Sequence, residues 1–394
     1  IHTEYSHIHH PNYLAMMEVL ADYLQPDGRM PMLNDTTLHH TDSELYQYEF
    51  AWRQMKSDRL LWILNRLYQG RERSNPEAFF YGEDTLPEVP DARAAEWVDR
   101  NYHTPVETYG HTILRGSHGR YLLFKHDTYG GEHDHYDRLG ISYMAFGKPV
   151  SVDLGTTGYG AVLHYDYYKN TGTHNTVVIG EENQAPAACR LLQYEDDGET
   201  VYVTAECDWT APYEMPDSFT IVQWKKENYE TVKMTRKIAW TDSCFAEAFY
   251  VTGADEALPV DWIMHLKGEV LEGRGEVCKD TFSDRKPFSW FRNASHLEGK
   301  RIRTVLEGVV TDLYCAPLGG EIWLAEGPDN PSTGMLNQVI VRRRGKDVCF
   351  LNVVESHQGE PVIDHVEFLQ EPDGSWRISV TEQDGRKRIF DMSI

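Results

Sequence analysis

The feature that most constrains this chain is a long series of short segments, from about residue 108 onward, in which apolar and polar residues alternate. Such alternation, rich in β-branched and aromatic residues, predicts strands with one buried and one exposed face. Asp-Gly dipeptides such as Asp197-Gly198, Asp373-Gly374 and Asp384-Gly385 predict tight hairpin turns between antiparallel strands. About ten or more strands exceed one small barrel, so we expect two stacked sheets. The predicted strands are 111–117, 119–126, 139–146, 148–154, 174–180, 200–206, 219–226, 232–240, 244–253, 337–344 and 347–354.

In the first hundred residues, apolar residues recur with the spacing of a helix rather than that of a strand. Apolar residues recur at helical spacing over 9–24, and Pro26-Asp27-Gly28 ends that segment. A second helix is predicted over 43–69, a short third one after Asn75-Pro76, and a fourth over 92–100. The fold class is therefore α+β, with a helical domain over 1–104 and a large antiparallel β domain over 105–394.

The net charge limits the class of partner. The net charge is −24, from 38 basic and 62 acidic residues, which argues against nucleic acid or an anionic membrane as a partner. A polyanionic substrate requires a local basic cluster, and six cations lie near the centre of the chain: Arg115, Arg120, Lys125, Arg138, Lys169 and Arg190. No apolar run reaches the roughly 20 residues that cross a bilayer.

The six widely spaced cysteines are predicted to be buried free thiols.

The chemistry is concentrated between residues 130 and 184. His135, Asp153 and His174 lie at predicted strand ends, and neighbouring strands would assemble two imidazoles and a carboxylate, a set suited to zinc. On a strand, His133 and His135 would point to one face. The alternative is that these are unrelated polar residues at strand ends. The tyrosines of this stretch are either acids or bases, or simple packing residues.

A further alternative is a metal-dependent hydrolase. Residues 133–138, HDHYDR, approach the HxHxDH pattern of metallo-β-lactamase-type enzymes, but Arg138 replaces the last histidine. The alternating β and α elements of that fold are also missing. No nucleophile elbow, phosphate loop or dinucleotide fingerprint is present.

Taken together, these residues resemble the heparinase II/III family of polysaccharide lyases, which includes oligoalginate lyases. The matching positions are Gly130-Gly131, His133, His135, Asp137, Gly147-Lys148-Pro149, Asp153, Gly155-Thr156, Tyr159, Tyr167-Tyr168, Thr171, His174-Asn175-Thr176 and Gln184. The segment LADYLQPDGRMPMLND at 20–35 resembles the end of the family's helical toroid. The resemblance implies an incomplete (α/α) toroid, ending in 1–104, followed by a multi-sheet antiparallel β-sandwich.

The resemblance also implies roles. His135, Asp153 and His174 match ligands of one structural zinc per chain, and His133 matches a histidine that assists catalysis. Tyr159, Tyr165 and Tyr168 are further catalytic candidates, and Glu132, Arg138 and Lys169 are predicted substrate contacts. The rest of the catalytic residues, on toroid helices of an upstream segment, would precede Ile1.

The implied reaction is β-elimination at a uronic acid of an acidic polysaccharide or oligosaccharide, such as heparin, heparan sulfate or alginate, leaving an unsaturated uronate end. A zinc hydrolase and a non-catalytic glycan-binding sandwich stay as alternatives. We expect a soluble bacterial protein, periplasmic or cytoplasmic, for which a homodimer is allowed.

Overall fold

The computed structural model describes residues 10–38, 47–90, 94, 97, 100–215, 222–299 and 301–394. Parts of four predicted elements lie outside these residues, namely residue 9, residues 43–46, residues 219–221 and most of 92–100. The described part consists of a few short helices followed by antiparallel sheets. The helices are α1 (Pro11–Tyr23), α2 (Tyr48–Met55), α3 (Asp58–Leu67) and α4 (Pro76–Tyr81). No described helix is long and apolar enough to cross a membrane.

The described strands form four sheets, in which every pairing is antiparallel. In chain order the strands are β1 (Tyr102–His103), β2 (Gly110–Gly116), β3 (Arg120–His126), β4 (Ile141–Ala145), β5 (Lys148–Ser151), β6 (Val177–Ile179), β7 (Cys189–Asp196), β8 (Val201–Asp208), β9 (Lys233–Trp240), β10 (Cys244–Thr252), β11 (Val260–Leu266), β12 (Glu269–Glu272), β13 (Arg274–Thr281), β14 (Arg292–Leu297), β15 (Arg301–Leu306), β16 (Val309–Cys315), β17 (Glu321–Pro328), β18 (Met335–Arg343), β19 (Val348–His357), β20 (Ile363–Gln370), β21 (Trp376–Glu382) and β22 (Lys387–Asp391).

The sheets pack into a sandwich of more layers than the two that were expected. A five-stranded sheet runs β1-β2-β3-β4-β5, and an eight-stranded sheet runs β12-β15-β16-β19-β10-β9-β8-β7. A six-stranded sheet has the order β13-β14-β17-β18-β11-β6, and β20-β21-β22 form a small separate sheet. One core joins the first three sheets, since it contains Phe124 of β3, Phe249 of β10 and Trp262 of β11, all fully buried. The predicted antiparallel class is confirmed.

The hairpin turns lie where the Asp-Gly dipeptides indicated. Gly198, between β7 and β8, has φ 86°, and Gly385, between β21 and β22, has the same value. This left-handed conformation is accessible to glycine at little cost.

One predicted strand is wrong. Residues 222–226 of the segment 219–226 are not in a sheet. Their backbone bonds to side chains instead: the Tyr136 hydroxyl donates to the carbonyl of Val222 at 2.9 Å, and the Asn183 amide donates to that of Gln223 at 2.9 Å. Val222 and Trp224 pack on Tyr136, so alternation here reflects packing of a loop.

The second predicted helix is two helices. Lys56 adopts a left-handed φ of 54° and ends α2, and α3 begins two residues later. Asn75 caps α4 as the sequence indicated, accepting from the Ala78 amide at 2.8 Å. The four described helices do not by themselves form a toroid, and the domain boundary at residues 104/105 stays a prediction.

The helical segment rests on the five-stranded sheet, and this contact positions the site. Arg115 of β2 donates to the carbonyl oxygens of Asp22 and Leu24 at 2.7 and 2.8 Å. The Tyr121 hydroxyl of β3 donates to the carbonyl of Tyr23 at 3.1 Å. These bonds terminate α1 against the sheet and direct residues 25–38 across one of its faces, where Leu33 packs on the cluster that contains Leu123 and Met144.

Candidate metal and catalytic site

The loop between β3 and β4 carries both central histidines. Residues 127–140 form turns around one isolated bridge residue, so His133 and His135 do not alternate on a strand. The expectation of a shared strand face is therefore wrong. Their side chains diverge: that of His135 is 0% exposed and that of His133 is 78% exposed.

His135, Asp153 and His174 come together in the interior. One potential ligand atom from each lies within 4.8 Å of the other two, and all three residues are buried. Asp153 follows β5, and His174 follows a short 3₁₀ turn, Thr171–Thr173, that precedes β6. Three chain segments thus supply one ligand each.

These three residues fit a metal ion. Among the described residues, the Nδ1 atom of His135 and both ring nitrogens of His174 make no hydrogen bond, although they are buried. The Asp153 Oδ2 atom lies 3.3 Å from His174 Nδ1. Buried polar atoms without partners are costly, and an ion with nitrogen and carboxylate ligands would satisfy them.

The electrostatics of His135 and Asp153 agree with such a role, whereas the pKa of His174 shifts in the opposite direction. Burial lowers the pKa of His135, which keeps its imidazole neutral, as a metal ligand must be. Burial raises the pKa of Asp153, but His174 outweighs it and lowers the pKa overall, so the carboxylate stays ionised. Burial lowers the pKa of His174, and Asp153 reverses this and raises it.

Asp35 is the site residue that the sequence interpretation missed. Its Oδ1 atom lies 3.1 Å from His135 Nε2, and its Oδ2 atom lies 3.1 Å from His133 Nδ1. Burial raises the pKa of this carboxyl, but hydrogen bonds from His135 and His133 and the charge of Lys169 lower it to about 2. A signal was present, because Asp35 ends the segment 20–35 that the family resemblance already covered.

Of the three candidate tyrosines, Tyr159 lies at the exposed histidine. Its side chain is 65% exposed and its hydroxyl lies 2.8 Å from His133 Nδ1. Burial and the charge of Asp35 raise the pKa of Tyr159, so the phenol keeps its proton.

Tyr165 and Tyr168 lie farther from the exposed imidazole. Tyr165 follows His164 in a π-helical turn, His164–Tyr168, and its ring is 4.4 Å from that of His164. The structure places Tyr168 in the core, fully buried, where its hydroxyl donates to the Asp329 carbonyl at 2.6 Å. Burial raises its pKa, and these contacts give it a structural role rather than the catalytic one expected.

Arg138 is likewise structural, contrary to the expected substrate contact. It is 1% exposed and forms ion pairs with Asp127 at 2.7 Å and with Asp134 and Asp137 at 3.0 Å. Lys125, 2% exposed, adds a pair with Asp137 at 2.6 Å. This buried ion cluster, Lys125 and Arg138 with Asp127, Asp134 and Asp137, lies beside the candidate ligands, and Asp137 Oδ2 is 3.9 Å from His174 Nδ1.

Of the other two expected substrate contacts, Lys169 is buried and Glu132 is half-buried. Lys169 is 2% exposed, donates to the carbonyl of Glu132 and lies 3.5 Å from Asp35. Glu132 is half-buried, and its Oε2 atom has no hydrogen bond among the described residues. Lys125, Arg138 and Lys169 therefore contact internal carboxylates, and these three side chains form no exposed basic patch in the described structure.

The cysteine prediction holds for five residues. Cys189, Cys207, Cys244, Cys315 and Cys349 are buried free thiols, whereas Cys278 is free but exposed.

Comparisons with known proteins agree with the resemblance. Residues 101–257 match the family described as heparinase II/III-like, C-terminal. A search of curated proteins finds no significant match. Among solved structures, a heparinase III superposes with a TM-score of 0.66 at 17% identity, covering 97% of this chain and 53% of the other. Heparan sulfate lyase HepC from Pedobacter heparinus superposes with a TM-score of 0.65 at 13% identity, with the same coverage. The chain thus spans about half the length of these enzymes, whose fold it shares.

Proposed function

We propose that this chain, whose residues 101–257 match the family described as heparinase II/III-like, C-terminal, is part of a polysaccharide lyase. The substrate class is a glycan containing uronic acid, of the heparin and heparan sulfate type or alginate. The observation that carries the proposal is the exposed imidazole of His133, held by Asp35 beside Tyr159 and next to the buried group of His135, Asp153 and His174.

The proposed reaction is β-elimination. A base removes the proton at C5, the electron pair forms the C4–C5 double bond, and the C4–O4 bond breaks as O4 takes a proton from an acid. No water is consumed. The carboxylate at C5 must be neutralised, because charge develops on it as the proton leaves.

His133 and Tyr159 are the residues of this chain that we assign to proton transfer in this reaction. The Nδ1–H group of His133 donates to the Asp35 carboxylate, which leaves Nε2 free on the exposed side to accept or hold a proton at the substrate. Because the pKa of Tyr159 is raised, its hydroxyl suits the acid that protonates O4 or a donor to the substrate carboxylate. Tyr165 lines the same side through its contact with His164.

Zinc is the ion that the ligand set His135, Asp153 and His174 would hold, and when bound it supplies structural support by joining three chain segments. The toroid belongs to the same proposal. A base and a carboxylate-neutralising residue on helices of the full-length protein would complete the cleft, with the end of those helices at residues 1–104.

The diverging histidines argue against the hydrolase alternative. A catalytic HxHxDH site needs both histidines and the following aspartate directed to its metal centre, whereas His133 points outward and Asp137 is paired with Lys125 and Arg138.

The test is product formation by the full-length protein on heparin, heparan sulfate, chondroitin, hyaluronan and alginate. Elimination gives a product with the ultraviolet absorbance of an unsaturated uronate, and hydrolysis does not. We expect His133→Ala to lose at least about 10²-fold in turnover while retaining zinc. The control His365→Ala removes another exposed histidine, 54% exposed on β20, and should leave turnover unchanged. Absence of unsaturated product on every glycan would contradict the proposal, and loss of zinc from His133→Ala would make His133 a ligand.

A further inference from the structure

We propose that Asp35 is a positioning residue that holds His133 and His135 in their separate roles and so couples the metal site to the proton-transfer site. The inference rests on the proposed function, because it assigns His133 to the elimination. It adds a residue that lies outside the group of His135, Asp153 and His174.

The carboxylate of Asp35 bridges the two histidines. Each of its oxygens lies 3.1 Å from one imidazole nitrogen, Oδ1 from His135 and Oδ2 from His133. The Asp35 side chain is only 7% exposed, so its hydrogen bond to the fully buried His135 is little weakened by water. The Nζ atom of Lys169, 3.5 Å from Oδ1, offsets the buried negative charge.

The backbone around Asp35 is itself held in place. Asn34 accepts from the buried Lys125 ammonium at 2.7 Å, and the carbonyl of Thr36 accepts from the Thr156 amide at 2.9 Å. Gly155, at φ 55°, allows this approach, because a Cβ atom there would lie 2.2 Å from the Thr36 carbonyl oxygen. Asp35 is therefore anchored on both sides to the β domain, although it belongs to the segment that follows α1.

This arrangement selects one tautomer for each ring. A carboxylate only accepts hydrogen bonds, so His135 donates from Nε2 and presents Nδ1, which has no other described partner, to an ion. His133 donates from Nδ1 to Asp35, with the Tyr159 hydroxyl, which can also accept, 2.8 Å from the same nitrogen, and it presents Nε2 to the exposed side. One carboxylate thus sets the reactive nitrogen of both residues.

The experiment uses the zinc-loaded full-length protein and its variant Asp35→Ala. Loss of an outer partner of a metal-bound histidine weakens metal affinity by about 10–100-fold. We expect that loss in chelator competition, together with a fall in kcat of similar size and a KM within about twofold of wild type, since Asp35 touches no substrate. The matched control is Asp27→Ala, eight residues upstream, whose carboxylate accepts from the Arg29 amide at 3.1 Å; zinc affinity and kcat should be unchanged.

His133→Ala separates the two effects. It should lower kcat and leave zinc affinity unchanged, and Asp35→Ala/His133→Ala should then show the kcat of the His133 variant with the zinc affinity of the Asp35 variant. If Asp35→Ala fails to fold, Asp35→Asn replaces it, because the amide offers one accepting oxygen for two donors. In that variant, nitrogen-15 histidine spectra should show a changed tautomer ratio for His133 or His135.

The outcomes separate this inference from the proposed function. Zinc affinity and the histidine spectra are measured without substrate, so they test Asp35 even if no glycan is cleaved. Wild-type zinc affinity in Asp35→Ala, or unchanged histidine tautomers in Asp35→Asn, would overturn the positioning role. A loss of zinc affinity without any fall in kcat, in a protein that does cleave glycan, would overturn the coupling.

Discussion

Replacement of Arg138 by methionine tests whether the buried ion cluster stabilises the site loop. Methionine keeps much of the side-chain volume and removes the charge. Arg138 meets three carboxylates at 2.7–3.0 Å, and all the partners are at most 15% exposed. After the change, Lys125 alone faces Asp127, Asp134 and Asp137, so the cluster passes from one net negative charge to two.

The expected magnitude follows from these distances. At about 3 Å and an effective dielectric constant near 20, each pair contributes roughly 5 kcal/mol of gross attraction. Desolvation cancels most of that sum, but removal of one partner leaves the others buried and unpaired, which costs about 3–5 kcal/mol. At roughly 2 °C per kcal/mol for a large domain, the melting temperature should fall by about 6–10 °C.

The assay is thermal unfolding of the metal-free protein, so that metal affinity does not contribute. The matched control is Arg190→Met: Arg190 also pairs with two carboxylates, Glu107 and Glu206 at 3.2 Å, but is 52% exposed. Exposed pairs contribute about 0–1 kcal/mol, so the control should shift by less than about 2 °C. Equal shifts in the two variants would refute the argument that burial decides the contribution.

Three further predictions follow from other parts of the structure. A chelator should lower the melting temperature, zinc should restore it, and His174→Ala should abolish both effects; elemental analysis without zinc in the purified protein would contradict this. Tyr159→Phe should lower kcat by about 10²-fold. Tyr168→Phe should lower the free energy of unfolding by about 1 kcal/mol and leave kcat unchanged. Steady-state kinetics measures the first effect, and thermal unfolding measures the second. Burial lowers the pKa of His357, but hydrogen bonds to Asp312 and to the following turn outweigh burial and raise the pKa. The protonated imidazole therefore stabilises the folded protein fully below about pH 6, and this stabilisation is lost as the pH rises through the raised pKa. Melting of wild type and His357→Gln across this range should therefore converge at high pH, and a gap that widens instead would contradict the sign.

The antiparallel class could be predicted from the sequence because its signals are local. Alternation and Asp-Gly turns involve residues a few positions apart, and β2, β3 and β4 lie where those patterns indicated. The sequence also predicted that His135, Asp153 and His174 could meet, and the structure brings them together, with Asp153 just after β5 and His174 just before β6. The segment 219–226 shows the limit of such signals, because alternation also arises where a loop packs on Tyr136.

The direction of each side chain depended on tertiary structure. His133 and His135 are two residues apart, and only the loop conformation decides that one is exposed and the other buried. Arg138 and Tyr168 looked like site residues, but the packing around them turned both into the interior.

Asp35 illustrates the same division most clearly. It is 100 residues from His135 in the chain, and no local pattern relates the two. They meet because α1 ends on the five-stranded sheet through Arg115 and Tyr121, which directs the following segment across the loop that carries both histidines. The sequence by itself determined which residues can bind an ion or move a proton; long-range packing, which fixes distances between remote segments, decided which of them face one another.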